Sequence, residues 1–274
     1  MKVLVTGASG MLGRGVAQAL LERGDDVTVL QRRPSTVDTR QVLGDVADAA
    51  VVAGAVAGCE AVVHLAAKVD VVGPWAEYAR ANVDGTREVL QAARNAGVRR
   101  LVNVSSPSVA HSGRSLVGAG AGPADPGRAR GAYARSKAIA EQLALAADSA
   151  DLAVVSVRPH LVWGPGDTQL VGRIIERARA GRLLIIATGA ALIDTTYVDN
   201  AVDALVAAVD ADVHGEALVV SNGEPPPSVR CCGGSARRPG CRRRVDTSRW
   251  RWRWRRGPWW RASGRCSTGA TPRR

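Results

Sequence analysis

The 274-residue chain has no phenylalanine, only three tyrosines, three lysines and two methionines, and four histidines. Its longest apolar stretch, Ala49 to Cys59, is interrupted by glycine and falls well short of the roughly 20 residues that cross a bilayer. Lys2 opens an apolar run, but Gly7 and Gly10 break it before any cleavage-site pattern, so no signal peptide is read and a cytoplasmic location is expected, with no membrane partner. His64, His111, His160 and His214 form no H-x-x-x-H pair and have no acidic cluster at ligand spacing, so no metal site is expected. His64 and His160 stand in or at the ends of apolar strands, where a hydrogen-bonded core role is the expectation. Only Cys59 among five cysteines belongs to residues 1–227, as a small buried hydrophobe.

The net charge of +12 suggests nucleic acid until it is divided along the chain. Residues 228–274 carry fifteen arginines and one acid, Asp246, whereas residues 1–227 carry 22 basic and 24 acidic residues. The main body therefore has no basic excess with which to neutralise phosphates, and no specific nucleic-acid partner is expected. The last 47 residues also hold four cysteines and five tryptophans and show no amphipathic period. Three explanations stand for them. An Arg-Trp segment can bind nucleic acid or an anionic membrane. The cysteines can bind metal, although Cys231, Cys232, Cys241 and Cys266 lack C-x-x-C spacing. Finally, Arg-Trp repeats encoded by CGG-TGG become Val-Ala repeats two bases later, so a shifted reading frame accounts for the break in composition, and that break favours this third explanation.

The body alternates short apolar runs with helical periods. Lys2 to Thr6, Val27 to Leu30, Gln41 to Leu43, Ala61 to Ala66, Arg100 to Ser105 and Leu152 to Val157 read as strands. Met11 to Arg23 reads as a helix that Gly24 stops, followed by helices over Ala47 to Ala57, Glu77 to Asn95 and Tyr133 to Ala147. The fully apolar strands fit a parallel sheet covered on both faces, so the expected fold is a Rossmann-type doubly wound α/β sheet. The expected organisation is a cofactor-binding domain over 1–160, a partial substrate lobe over 161–227 that returns to the sheet at about 193–223, and the aberrant tail 228–274. Between Pro107 and Ala132 lies a long Gly, Pro, Ala and Ser-rich stretch without periodicity, which is expected to flank the active site.

Three features carry chemistry. The turn TGASGMLG sets Gly7, Gly10 and Gly13 between the first strand and first helix, with Ser9, Met11 and Leu12 among them. Glycines there let the backbone approach a pyrophosphate, and the helix start offers free N–H groups and a positive dipole. After the second strand, where an acid usually binds the ribose of NAD, the chain reads Gln31, Arg32, Arg33, and the two guanidinium groups suit the 2′-phosphate of NADP. Tyr133 and Lys137 form a Y-x-x-x-K pair, which three tyrosines and three lysines would produce by chance only about 0.03 times in this length. At i and i+4 of a helix the two share a face, where the ammonium is expected to lower the phenol's pKa and suit it to proton transfer near neutrality. Ser105 and Ser106 end the strand before the long loop, where a hydroxyl can hold a substrate oxygen.

TGASGMLG, Asp45 in LGDV, HLAA at 64–67, VSSPSV, YARSK and RPHLVWGPGD together resemble the extended short-chain dehydrogenases/reductases, over residues 1 to about 223. The likeness is nearest to the branch of 3β-hydroxysteroid dehydrogenase-like and epimerase/dehydratase-like enzymes. The resemblance implies Tyr133 as general acid/base, with Lys137 as its partner and as a ligand of the nicotinamide ribose. It implies Ser106 rather than Ser105 as the catalytic serine, since Ser106 stands three before Val109 in S-x-x-V. Asp45 and Val46 would meet the adenine, Ala66 and Ala67 the ribose side, and Pro159 the nicotinamide. The implied activity is hydride transfer between NADP, or alternatively NAD, and a hydroxyl or ketone carbon of a small, steroid-like or otherwise apolar substrate. A sugar-nucleotide epimerase or dehydratase and a non-catalytic NADP-binding sensor are the alternatives. The resemblance also implies a homodimer formed through Glu77 to Asn95 and Tyr133 to Ala147. Asp199 reads as a helix cap rather than a catalytic acid.

Overall fold

The structure is a computed structural model that describes residues 1–70, 72–113, 116–167, 171–182 and 191–225. The arginine-, tryptophan- and cysteine-rich tail lies outside the described residues. Within residues 1–233, which form one compact unit, the first half alternates as expected: β1 (Lys2–Thr6), α1 (Met11–Glu22), β2 (Asp26–Gln31), β3 (Arg40–Leu43), α2 (Ala49–Val56) and β4 (Ala61–His64). The next segments are α3 (Trp75–Tyr78), a π-helical turn (Ala79–Asp84), α4 (Gly85–Asn95), β5 (Arg100–Val104), a 3-10 turn (Pro107–Ala110), α5 (Gly131–Ala146) and β6 (Ala153–Pro159). The chain continues through β7 (Val162–Trp163), α6 (Val171–Arg179), β8 (Thr196–Tyr197), α7 (Val198–Asp210) and β9 (Ala217–Val220).

Seven strands pair in the order β3-β2-β1-β4-β5-β6-β9, every neighbour parallel. β7 and β8 form a separate two-stranded ladder. Alternate residues of the central strands enter opposite cores, as the period of two requires. Val3, Val5, Val63, Val102 and Val155 pack with residues of α1 and α7, whereas Leu4, Val62, Leu101 and Val154 pack with residues of α2, α4 and α5. Strand order reverses between β1 and β4, so the loops after these strands flank the crevice where open α/β sheets bind ligands.

Where boundaries differ from the sequence reading, local hydrogen bonding gives the reason. β4 stops at His64 because the N–H groups of Leu65 and Ala66 turn to the Thr6 hydroxyl, at 3.1 and 3.0 Å. α2 starts at Ala49 because the Asp48 carboxylate caps it, accepting from Ala50 N and Val51 N. The single helix expected over 77–95 is α3, a π turn and α4 in unbroken succession. Asp199 does not cap α7: Tyr197 holds the cap position, and Asp199 lies inside the first turn, where its charge favours the helix dipole. No described helix is long and apolar enough to cross a membrane.

Candidate active site

The glycine turn is built by close contact. Gly7 has φ +81°, and a Cβ there would lie 2.9 Å from Ala66 N; on Gly13 it would lie 2.4 Å from the Gly7 carbonyl oxygen. The turn after β1 is thus pressed against the HLAA segment after β4 and against the first turn of α1. Gly10 occupies the N-cap of α1 without any side-chain cap, and no acid stands in the first turn. The N–H groups of Met11, Leu12 and Gly13 begin the helix, where no intrahelical acceptor exists. Ser9 and Gly10 are exposed beside them, while Ala66 and Ala67 are half-buried across the crevice. This donor set, shaped by glycine and positive in potential, fits the pyrophosphate of a nicotinamide dinucleotide.

At the outer end of the crevice, β2 leads into exposed Arg32 and Arg33. Gln31 is buried, gives Nε2–H to Gln41 Oε1 at 2.8 Å, and leaves its own Oε1 without a partner. Burial pushes the Asp45 carboxyl upward, but the Ala47 N–H, Arg80 and Arg32 outweigh it and leave the group below its ordinary range. Arg80 meets Asp45 Oδ2 at 3.2 Å. Val46 is buried, with Gly85 of α4 close enough that a Cβ there would meet its side chain at 2.7 Å.

The proposed catalytic residues converge where β5 ends. Ser106 caps the 3-10 turn, with its hydroxyl 2.9 Å from that of Ser108, and it is the side chain that counters burial on the Tyr133 phenol. Lys137, one turn further along α5, is buried and donates from Nζ to the Val104 carbonyl at 2.5 Å. Burial lowers its pKa to about 8, against the opposing influence of Glu141. The Tyr133 phenol behaves otherwise than the sequence suggests. Burial raises its pKa, Ser106 counters in part, and Lys137 is not among the influences on it. The shared helix face is real, but the ammonium turns to the β5 carbonyl, so Tyr133 is a protonated phenol at neutral pH. The Ser105 hydroxyl is buried beside this group without a partner. Pro159 ends β6, buried.

Behind these residues runs a buried polar chain. Thr6, His64, Asn103 and Ser156 sit in register across β1, β4, β5 and β6. Thr6 Oγ1 accepts from Leu65 N and Ala66 N, so its proton faces His64 Nδ1 at 2.8 Å. Thr86 Oγ1 donates to the Asn82 carbonyl and lies 3.1 Å from His64 Nε2, which therefore carries the ring proton. Burial, with Lys137 nearby, depresses the His64 pKa to about 3 and keeps the ring neutral. Asn82, in the π turn, gives Nδ2–H to Ser136 Oγ at 2.8 Å and accepts from Lys68 N at 2.7 Å. His64 is thus a hydrogen-bonded core histidine.

Sequence reasoning missed Asn82, Arg80, Glu141 and Arg158. Tyr78, Asn82 and Thr86 follow one another at i+4 on the buried side of their helix, and a polar residue on an apolar stripe was a signal that could have been read. Arg80 gave none, since an isolated arginine is an ordinary solvated residue in sequence.

A family described as the NAD dependent epimerase/dehydratase family matches residues 3–221. The 2-alkyl-3-oxoalkanoate reductase of Stenotrophomonas maltophilia is 45% identical over 238 residues, covering 83% of this chain and 72% of that protein. The 3-beta-hydroxysteroid dehydrogenase of Mycolicibacterium neoaurum is 31% identical over 242 residues, covering 82% of this chain and 66% of that protein. Among solved structures, the UDP-glucose 4-epimerase of Thermus thermophilus in complex with NAD superposes with a TM-score of 0.72 at 27% identity, covering 85% of this chain and 81% of that one.

Proposed function

Because the chain belongs to the NAD dependent epimerase/dehydratase family, whose dehydrogenase and reductase members it resembles in sequence, we propose that this NAD(P)-dependent oxidoreductase reduces the ketone of an apolar 3-oxo compound. The observation that carries the reading is that Tyr133 stands one helical turn from the buried Lys137 on α5, with Ser106 acting on its phenol. The nicotinamide, when bound, supplies the hydride. Ser106 orients the substrate oxygen, and Tyr133, held protonated by burial, gives it a proton as negative charge develops there. Lys137 is charged below about pH 8 and stands one helical turn from the phenol on α5. Gly7, Ser9, Gly10, Met11, Leu12, Gly13, Asp45, Val46, Ala66, Ala67 and Pro159 would bind the dinucleotide, and Lys137 its nicotinamide ribose. Arg32 and Arg33 make NADP the preferred form.

An apolar substrate is favoured by what surrounds the site. Val69, Val72 and Trp75 after β4, Leu116 and Val117 after β5, Leu161 after β6 and Leu192 before β8 are all exposed. They belong to segments leaving or approaching the ligand-binding edge of the sheet, where an aliphatic chain or ring system can cover them. The substrate named for the Stenotrophomonas relative, a 2-alkyl-3-oxoalkanoate, combines a ketone with such chains.

Fluorescence titration with NADPH and NADH, followed by turnover assays on 2-alkyl-3-oxoalkanoates, hydroxysteroids and UDP-glucose, tests this reading. NADPH-dependent reduction of the 3-oxoalkanoate is expected, and Tyr133→Phe is expected to lower kcat by about 10²- to 10⁴-fold with NADPH affinity kept. Arg32→Ala with Arg33→Ala is expected to remove the preference for NADPH. Turnover of UDP-glucose alone would replace the reading with a sugar-nucleotide epimerase.

A further inference from the structure

Glu141 and Arg158 form a buried ion pair, with side chains 0% and 1% exposed. Arg158 Nε meets Glu141 Oε2 at 2.8 Å, and its NH2 group meets Oε1. The guanidinium does not stop there. It also donates to the carbonyls of Ala121 and Gly122, the latter at 3.0 Å. Those carbonyls lie in the long loop that joins Ser106 to Tyr133. The same stretch is fastened at two more points, by Gln142 Nε2 to the Ala124 carbonyl at 2.9 Å and by Asp125 N to the Val109 carbonyl at 2.9 Å.

The placement of the carboxylate is equally specific. Tyr133, Lys137 and Glu141 follow at i, i+4 and i+8 on α5, and Arg158 directly precedes Pro159 on β6. Lys137 is buried, and Glu141 is the acidic group that acts on it, in the direction that keeps it charged. His64 from β4 feels the Lys137 charge and is neutral at pH 7, as is Tyr133, one turn earlier on the same helix. A buried ion pair gives little net stability over an apolar pair of similar volume, because desolvation offsets attraction. Its position relative to the site, rather than its energy, is what distinguishes this one.

We propose that Glu141 and Arg158 are positioning residues for the reaction. Arg158 holds the loop between Ser106 and Tyr133 in place, and Glu141 supports the charge of Lys137 from one turn away. The proposal rests on the reading of Tyr133 and Lys137 given above. The pair touches neither substrate nor cofactor, and it acts through the groups that do.

Two variants separate the halves of this proposal. Arg158→Lys keeps the pair neutral overall but removes the fork that reaches one carboxylate and two carbonyls. Glu141→Gln with Arg158→Met removes both charges together, so that neither is left buried alone. For Arg158→Lys, hydrogen exchange of residues 116–125 is expected to speed up about tenfold, and kcat with NADPH and a 2-alkyl-3-oxoalkanoate to fall roughly tenfold or more, as small misplacement of a site demands. Its pH profile is expected to stay where it is. In the double variant the same loosening is expected, and in addition the alkaline fall in kcat moves to lower pH, because Lys137 loses its carboxylate. Unchanged loop exchange in both variants, or an unchanged pH profile in the double variant, overturns the proposal. Full turnover by Tyr133→Phe would instead sink the reading of the site, and the exchange measurement would still judge the loop anchor.

Discussion

A methyl group on Gly13 would stand 2.4 Å from the Gly7 carbonyl oxygen and 2.8 Å from its carbon, and both are backbone atoms that cannot swing aside. Gly13→Ala is therefore expected to cost about 1–3 kcal/mol of stability through forced backbone shifts and to weaken NADPH binding. A denaturant midpoint and NADPH affinity equal to those of the parent would show that the turn is looser than these contacts imply. This feature was legible in sequence because a glycine turn is local: the spacing of three glycines between a strand and a helix already requires close backbone approach. The ionisation of Tyr133 was not legible. Spacing on α5 puts Lys137 on the same face, but only the fold brings the Val104 carbonyl to the ammonium. Ser106, by contrast, is preferred to Ser105 through the family's S-x-x-V pattern, and in the fold it is Ser106 that acts against burial on the phenol.

Among the elements, the π turn between α3 and α4 does what a regular helix would not. The extra residue in such a turn shifts the register of the side chains that follow it, and Asn82 lies there, buried between Lys68 and Ser136. Asn82→Ala leaves the Lys68 N–H and carbonyl without their partner, at a cost of about 1–3 kcal/mol. Urea denaturation of the single variants and of the pair with Ser136→Ala is expected to show non-additive losses, and strictly additive ones would break the proposed link between this turn and α5. Sequence periodicity found the helix and missed the π turn, because 3.6-residue spacing persists on either side of it. Strand positions were legible for a simpler reason, since runs such as VLV in β1 and AVV in β4 and in β6 are apolar on both faces. Their ends were less so. Whether β4 reaches Ala66 depends on a hydroxyl of β1 that is 60 residues away in the chain.

For the body as a whole, the pH dependence of stability follows from what is buried. Held at a pKa of about 3, His64 stays neutral in the folded protein, whereas in the unfolded chain it binds a proton below about pH 6.5. The unfolded state then holds more protons between these values, so stability is full above pH 6.5 and falls as the pH drops, by up to about 1.4 kcal/mol per unit for each such group. His160, also depressed by burial, adds in the same direction. Asp25, Asp45, Asp70 and Asp148, all below their ordinary range, contribute only as the pH falls toward about 4 and beyond. Urea melts between pH 6.5 and 4.5 are thus expected to slope downward, and His64→Gln to flatten much of that slope; an equal slope in the variant would rule His64 out as its source.

The same imidazole has a second use. Its Nε2 proton faces Thr86, its Nδ1 faces Thr6, and through Thr86 and Asn82 it is tied to α5, so four elements must part before water reaches the ring. The lifetime of that one proton against exchange is therefore a clock for the opening of the body, and it runs without substrate or cofactor.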